Sequence, residues 1–148
     1  MSSDPRDTSS RVPAGQDQSR PKARRILVAE DDHEMRRLVS DWLGREGYEV
    51  IEVSDGGQLL LRLVRELHGR MVWDEAIDLI LTDVRMPGRN GLDVIESLRS
   101  ALRETPVIVM TAFGDRETRV LAMKLRAVLL DKPFRREQLV AAVRGALA

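Results

Sequence analysis

From residue 25 onward, hydrophobic residues follow two patterns that alternate along the chain. Short, nearly continuous apolar runs of strand length occupy 26–29, 50–53, 79–82, 106–110 and 128–130. After each run comes a longer segment in which apolar residues recur every three or four positions, the spacing of an amphipathic helix. The pattern therefore predicts five repeats of a strand followed by a helix, and Asp32 stands where it would cap the first helix.

The predicted strands are apolar at consecutive positions rather than at alternate ones. Such strands are buried on both faces, which is typical of a parallel sheet covered by helices on each side. The sequence thus predicts the α/β class, with a doubly wound five-stranded parallel sheet and helices on both faces. In such sheets the ligand site lies at the carboxyl ends of the strands, so the polar residues found there are the candidates for function.

Two stretches lie outside this pattern. Residues 1–23 are rich in Ser, Asp, Arg, Pro, Gly and Gln and hold almost no apolar side chain, which predicts a disordered N-terminal tail. Residues 24–148 are then one domain of ordinary size. Residues 68–76 are interpreted as a long loop, for which a neutral surface insertion is favoured over a partner-binding surface.

Composition and charge narrow the classes of function. The 148 residues include 24 basic and 24 acidic side chains, and this balance gives no reason to expect a DNA-binding face. The absence of cysteine excludes a disulfide framework, a thiolate zinc site and a cysteine nucleophile. No run approaches the roughly 18 apolar residues of a membrane span, and the N-terminus lacks a signal-peptide core. We therefore expect a cytoplasmic protein that contacts neither membrane nor DNA directly.

Acidic residues gather where the first and third predicted strands end. Glu30, Asp31 and Asp32 follow the first strand, and Asp83 follows the third. Parallel strands bring these ends to one edge of the sheet, where clustered carboxylates repel one another and need either a cation or a shared proton. Oxygen ligands without His or Cys favour Mg²⁺.

Two further strand ends supply groups that suit a phosphoryl ligand. Thr111 ends the fourth strand with a hydroxyl donor, and Lys132 follows the fifth strand with a positive charge. A carboxylate can act as a nucleophile and form an acyl phosphate. Together with the acidic cluster, these residues predict phosphoryl chemistry beside a bound cation.

Four segments occur in a characteristic order along the chain. They are the run ending in Glu-Asp-Asp at 30–32, Asp-Leu-Ile-Leu-Thr-Asp-Val-Arg-Met-Pro-Gly-Arg-Asn-Gly at 78–91, Pro-Val-Ile-Val-Met-Thr-Ala at 106–112, and Asp-Lys-Pro-Phe at 131–134. In these segments the chain resembles the response regulator receiver family of bacterial two-component signalling. The resemblance covers about residues 25–147 and implies a flavodoxin-like receiver fold.

The resemblance also implies a phosphorylation site with a metal beside it. Asp83 matches the phospho-acceptor, Asp31 matches a direct Mg²⁺ ligand, and Glu30 matches an acidic neighbour that acts through water. The acceptor itself and the main-chain carbonyl of Arg85 complete the implied metal ligands.

Further residues match the groups that respond to the phosphoryl group. Thr111 matches the switch hydroxyl, and Lys132 matches the lysine of the family, with a cis bond to Pro133. Gly88 and Gly91 would shape the loop after the acceptor.

The chain departs from the family pattern after the fourth helix. Arg126 replaces the usual glycine, and the segment before Lys132 is about one residue short, so the position of Lys132 is open at this point. Leu129 replaces a frequent aromatic, which argues against an aromatic-coupled switch. Arg85 and Phe113 lie two residues after the acceptor and the threonine, and their size predicts a phosphoryl group that is partly shielded from water.

The function implied is that of a stand-alone response regulator. Asp83 would accept a phosphoryl group from a sensor histidine kinase or a phosphotransfer protein. The chain would then bind a downstream protein effector through the fourth helix, fifth strand and fifth helix, as a monomer or a phosphorylation-dependent dimer. We expect no enzymatic activity beyond self-phosphorylation and autodephosphorylation.

Three other functions are compatible with parts of this pattern. A phosphorylation-independent scaffold on the receiver fold is the main alternative. A hydrolase with an aspartyl-phosphate intermediate is disfavoured, because Arg85 stands where such enzymes usually carry a second Asp. A flavin-binding domain is disfavoured, because no phosphate-binding loop follows the first strand.

Overall fold

The structure is a computed structural model that describes residues 23–69, 76–112 and 114–148. The predicted tail up to residue 22, the centre of the predicted 68–76 loop and Phe113 lie outside the described residues. The predictions made for those positions therefore stay predictions.

Five strands alternate with five helices, as the hydrophobic pattern predicts. In chain order they are β1 (Arg25–Ala29), α1 (His33–Arg45), β2 (Glu49–Val53), α2 (Gly56–His68), β3 (Leu79–Asp83), α3 (Gly91–Leu98), β4 (Val107–Thr111), α4 (Arg116–Lys124), β5 (Val128–Asp131) and α5 (Arg136–Leu147). Within the described parts of the chain, none of these helices combines the length and the apolar composition needed to cross a bilayer.

The strands form one sheet in the order β2-β1-β3-β4-β5, and every neighbouring pair is parallel. The three central strands are buried almost throughout, whereas β2 and β5 at the two sides are partly exposed. The chain passes from β1 to β2 on one side and then returns to β3 on the other. The adjacent pair β1 and β3 is therefore the point where the strand order reverses, and the crevice above it is where such folds bind ligands.

Each face of the sheet has its own hydrophobic core. Alternate residues of β1 point to opposite faces, so Leu27 belongs to one core and Ile26 and Val28 belong to the other. The first core packs against α2, α3 and α4 through residues such as Leu63. The second core packs against α1 and α5, for example at Leu43. The doubly wound class predicted from the consecutive apolar positions is confirmed.

Four helices begin at an Asp or Asn whose side chain accepts hydrogen bonds from the first turn, which is the usual N-cap arrangement. At α1 the cap is Asp32, which accepts from the main-chain N–H groups of Glu34 and Met35 at 3.0 and 3.2 Å. The predicted capping role of Asp32 is confirmed. The other caps are Asp55, Asn90 and Asp115.

The ends of α1 and α4 share one hydrogen-bonded motif built on different residues. After α1, Gly47 has a φ of 94°, donates to Gly44 O and is followed by a bond from Tyr48 N to Leu43 O. This is a Schellman motif, and its left-handed position favours glycine.

After α4 the left-handed position of the same motif is held by an arginine. Arg126 has a φ of 57° and donates to Met123 O, and Ala127 N donates to Ala122 O. The chain therefore keeps the turn that the family pattern makes with glycine, at the conformational cost of a side chain in the left-handed region.

One side chain fastens this unusual turn to the rest of the domain. Arg99, just after α3, donates from Nε to Leu125 O at 2.8 Å and from Nη1 to Leu102 O and Thr105 O at 2.9 and 2.6 Å. A longer contact of 3.5 Å joins Nη2 to Arg126 O. We call this arrangement the Arg99 clamp. It joins the loop before β4 to the turn before β5 at the amino edge of the sheet, where the strands begin.

Candidate functional site

The candidate site lies at the carboxyl edge of the sheet, where the strands end. Glu30 follows β1 and Asp83 ends β3, so the strand-order reversal places their side chains next to each other. Both are buried: Glu30 is 1% exposed and Asp83 is 8% exposed. Asp31, which follows Glu30, is exposed.

These three carboxylates form a compact group. One oxygen atom from each of Glu30, Asp31 and Asp83 lies within 4.8 Å of the others. Two of the three carboxylates are buried, and negative charges this close together repel one another. The clustering predicted from the strand ends is therefore present, and Asp32 is directed away from it to cap α1.

Lys132 contacts two members of this group directly. Its Nζ donates to Glu30 Oε1 at 2.8 Å and to Asp83 Oδ2 at 3.1 Å, and its side chain is 18% exposed. Lys132 follows β5, two strands away from Asp83, and the side chain reaches across the end of β4. The short segment before β5, which left the position of Lys132 open in the sequence, does not keep it out of the site.

The charges of the group shift the pKa values of Lys132 and Asp31. Burial by itself would lower the pKa of Lys132, but hydrogen bonds and attraction from Glu30 and Asp83 outweigh it and raise the pKa above its usual value. For Asp31 the pKa is raised, first by desolvation and then by its hydrogen bond with Glu30. The lysine is therefore held in its charged form, whereas ionised Asp31 is disfavoured without a further cation.

The donor set fits a hard divalent cation. All side-chain ligands are carboxylate oxygens, and Asp31 is exposed and disfavoured in its charged form, so a cation would relieve that energetic cost. A Mg²⁺ ion typically binds through one or two carboxylates and keeps several waters. Glu30, Asp31 and Asp83 would hold it, and the carbonyl of Arg85 remains a predicted further ligand.

Thr111 ends β4 directly beside this group. Its side chain is buried, and its main-chain carbonyl accepts a hydrogen bond from Lys132 N at 2.8 Å. The β4–β5 register pairs Thr111 with Asp131. The structure thus brings Thr111 and Lys132 together at one edge, and their roles in phosphoryl binding stay predictions.

The loop after Asp83 is shaped by glycine, as the resemblance implies. A Cβ on Gly91 would lie 2.2 Å from Asp83 O, so only glycine allows the start of α3 to approach the acceptor strand this closely. Gly88 has a φ of 84°. The Lys132–Pro133 bond is cis, as predicted.

Two contacts that orient Glu30 were not predicted from the sequence. The main-chain N–H of Asp32 donates to Glu30 Oε2 at 3.1 Å, and Arg36 Nη1 donates to Glu30 O at 2.8 Å. Arg36 lies on α1, one turn after the Asp32 cap, where a charged residue looks like ordinary helix surface. The only feature of the sequence that could have predicted this contact is the spacing of Arg36 from the acidic residues 30–32.

Comparison with known proteins agrees with this geometry. The family model for the response regulator receiver domain matches residues 26–144. The transcriptional regulatory protein CpxR of Escherichia coli strain K12 is 41% identical over 124 residues, which cover 83% of this chain and 49% of that protein. The corresponding protein of Klebsiella pneumoniae is 40% identical over the same length. The chain spans about half the length of these curated relatives.

Solved structures show the same fold. The chemotaxis protein CheY4 of Vibrio cholerae has a TM-score of 0.72 at 26% identity, with 84% of this chain and 99% of that chain covered. A CheY-like receiver domain protein from Methanospirillum hungatei has a TM-score of 0.73, covering 84% of this chain and 94% of the other. At 23% identity the second similarity concerns the fold alone.

Proposed function

We propose a function from one established premise: the chain belongs to the response regulator receiver domain family. In this proposal Asp83 accepts a phosphoryl group from a sensor histidine kinase or a phosphotransfer protein in a Mg²⁺-dependent reaction. The supporting observation is the joint contact of Lys132 with Glu30 and Asp83 beside the exposed carboxylate of Asp31.

The chemistry proposed is in-line transfer to a carboxylate. An oxygen of Asp83 forms a bond to phosphorus while the bond to the donor's leaving atom breaks, and the electron pair of that bond leaves with the donor. Bound Mg²⁺ would neutralise charge on the transferring phosphoryl oxygens. Lys132 would donate to one of these oxygens and Thr111 to another. No external substrate is turned over, so the chain is proposed to be a phosphorylated switch and not an enzyme.

The output is proposed to be a changed protein-binding surface. The new charge on Asp83 would redirect Thr111 and Lys132, which end the neighbouring strands β4 and β5. The surface of α4, β5 and α5 is continuous with these strand ends, and it carries the exposed apolar side chains of Val120, Met123 and Val128. A protein effector, or a second copy of the phosphorylated chain, would bind there.

Residues 24–148 are proposed to act through protein contacts in the cytoplasm. The name of the relatives indicates transcriptional regulation by those longer proteins, and the chain covers about half of them. Whether it acts alone or beside another domain is a separate question from the switch at Asp83. The balanced charge of the chain supports protein contacts over DNA contacts for this domain.

The proposal is tested by intact-mass measurement of the full chain after incubation with acetyl phosphate. With Mg²⁺ we expect the wild type to gain the mass of one phosphoryl group, and the gain to disappear with a chelator. Asp83→Asn should show no gain. Asp93→Asn is the matched control, because it removes the same charge from the exposed surface of α3 and should be phosphorylated like the wild type.

A scaffold that works without phosphorylation is the second candidate. It is favoured by one observation: Lys132 donates to both Glu30 and Asp83 and so compensates part of their charge from within the chain. If neither acetyl phosphate nor the phosphoryl mimic beryllofluoride modifies or binds the wild type, the scaffold replaces the switch as the function best supported.

A further inference from the structure

The side chain of Arg119 joins the loop before α4 to the end of β5. Its Nε donates to the main-chain carbonyl of Gly114 at 3.0 Å, and its Nη2 donates to Asp131 Oδ1 at 3.1 Å. A Cβ on Gly114 would lie only 2.8 Å from Arg119 Nη2, so the glycine allows the guanidinium to lie against the loop. We call these three residues the Arg119 bridge.

Both ends of the Arg119 bridge are attached to residues of the candidate site. Asp131 immediately precedes Lys132 and is the register partner of Thr111. Gly114 lies three residues after Thr111, and Lys132 N donates to Thr111 O. The distance that the bridge spans therefore depends on where Thr111 and Lys132 lie.

We propose that Arg119 is a positioning residue whose bridge holds the loop before α4 in the unphosphorylated arrangement and opens when Asp83 is phosphorylated. This inference rests on the proposed function. It adds to that function a specific contact, outside the acidic cluster, that opposes the switch.

Electrostatics explains why the bridge should open. A doubly charged phosphoryl group on Asp83 attracts the Lys132 ammonium and the Thr111 hydroxyl more strongly than the present carboxylates do. Movement of either residue displaces one end of the bridge. A single guanidinium cannot keep both bonds once the separation of Gly114 and Asp131 changes.

The exposure of the bridge makes it weak enough to be broken. The side chains of Arg119 and Asp131 are 49% and 61% exposed, so water competes with the ion pair. A weak contact of this kind changes the equilibrium between the two loop arrangements by only a small factor. The expected effect of removing it is therefore about threefold in affinity for a phosphoryl mimic.

The test is the affinity of the full chain for beryllofluoride at saturating Mg²⁺, measured by calorimetric titration. We expect Arg119→Ala to bind about threefold more tightly than the wild type. Loss of a positive charge near an anion site would by itself weaken binding, so tighter binding has the opposite sign to the simple charge effect. A role limited to stability would leave the affinity unchanged.

Arg116→Ala is the matched control. Arg116 lies one turn earlier on α4, and among the described residues its side chain makes no hydrogen bond or ion pair. Gly114→Ala tests the bridge without changing charge, since the added Cβ would displace the guanidinium. We expect Gly114→Ala to bind more tightly than the wild type and Arg116→Ala to match it or bind slightly more weakly.

The outcomes separate this inference from the proposed function. If all variants bind beryllofluoride with the affinity of the wild type, or if Arg119→Ala binds more weakly than Arg116→Ala, the inference is wrong and the switch at Asp83 stands. If the wild type itself binds none, both are wrong.

A spectroscopic measurement follows the bridge directly. In the wild type, the Arg119 Nε–H should give a resolved NMR signal that is protected from exchange with water. We expect this signal to move to the value of a solvated arginine on addition of Mg²⁺ and beryllofluoride. An unchanged, protected signal in the bound protein would overturn the inference.

Discussion

The two edges of the sheet each hold one partly buried cation that gathers several oxygen atoms. At the carboxyl edge, Lys132 contacts the carboxylates of Glu30 and Asp83. At the amino edge, the Arg99 clamp contacts main-chain carbonyls of two connecting segments. The partners of Lys132 are ionic, and in the proposed function they would bind a metal or a phosphoryl group instead. The partners of Arg99 are neutral and fixed in the backbone.

The Lys132 contact is therefore one that a bound ligand could replace, whereas the Arg99 clamp only stabilises the fold. Burial, followed by the charge of Arg126, lowers the pKa of Arg99, whereas the net effect of the carboxylates raises the pKa of Lys132. The edge that is proposed to change state on phosphorylation thus lies opposite an edge whose contacts are fixed.

Removing either cation should destabilise the domain, but only one loss should respond to magnesium. Without Mg²⁺ we expect Lys132→Met and Arg99→Met each to lower the free energy of unfolding by about 3 kcal/mol. The first leaves two buried carboxylates uncompensated, and the second leaves carbonyls without charged donors. Saturating Mg²⁺ should restore much of the loss in Lys132→Met, because the ion compensates the same carboxylates and binds only the folded chain.

The measurement is chemical denaturation of both variants and the wild type, with and without Mg²⁺. Lys132→Met should also bind Mg²⁺ more tightly than the wild type, since the lysine no longer competes for Glu30 and Asp83. Equal responses of the two variants to Mg²⁺ would remove the distinction between the edges.

Local patterns in the sequence predict the carboxyl edge well. The strands β1, β3 and β4 end in a polar residue or are followed directly by one, and parallel pairing brings Glu30, Asp83 and Thr111 to one edge whatever the details of the loops. The position of Lys132 could not be predicted from the sequence alone, because the segment before it is about one residue shorter than the family pattern. The four-residue β5 nevertheless keeps its register with β4, and this pairing places Lys132 beside Asp83.

The amino edge was not predictable in the same way. Arg99 follows an amphipathic helix and looks like a surface residue, yet it donates to carbonyls as far as 27 positions away in the chain. Main-chain carbonyls carry no signal in the sequence, so no pattern of residue types reveals such a contact. The Arg119 bridge was missed for the same reason, since one of its partners is the carbonyl of Gly114.

The left-handed turn at the amino edge should be improvable without effect on the switch. Arg126→Gly removes the cost of a side chain at a φ of 57° and also the positive charge beside Arg99. We expect the free energy of unfolding to rise by about 1 kcal/mol, with phosphorylation of Asp83 unchanged. Thermal denaturation measures the change in stability, and intact-mass measurement after incubation with acetyl phosphate measures the phosphorylation of Asp83.

The matching position after α1 provides the control for that variant. Gly47→Ala introduces a side chain at a φ of 94° in the same motif, so it should lower the free energy of unfolding by about 1 kcal/mol. A loss of stability in Arg126→Gly would mean that the Arg126 side chain itself supports the clamp, and the two helix ends would not be equivalent.

The smallest expected effect concerns Asp31 and changes sign with the metal. Because its pKa is raised in the folded chain, Asp31 binds its proton more tightly there than in the unfolded chain, and its ionised form costs stability. That cost is absent below the unfolded value of 3.8, grows as the pH rises through the raised pKa, and is complete at neutral pH. Without Mg²⁺, Asp31→Asn should therefore melt slightly above the wild type at pH 7, by about 2 °C or less since Asp31 is exposed, and equal it in strong acid.

Addition of Mg²⁺ should reverse the order of these two melting temperatures. If Asp31 is a direct ligand as proposed, the wild type should gain stability from the bound ion, whereas Asp31→Asn should gain little. The reversal matters more than its size, because a residue that only stabilised the fold would not be costly in the free state and favourable in the metal-bound state. If Asp31→Asn melts below the wild type under both conditions, Asp31 belongs with the fixed contacts of the amino edge and the contrast between the two edges is lost.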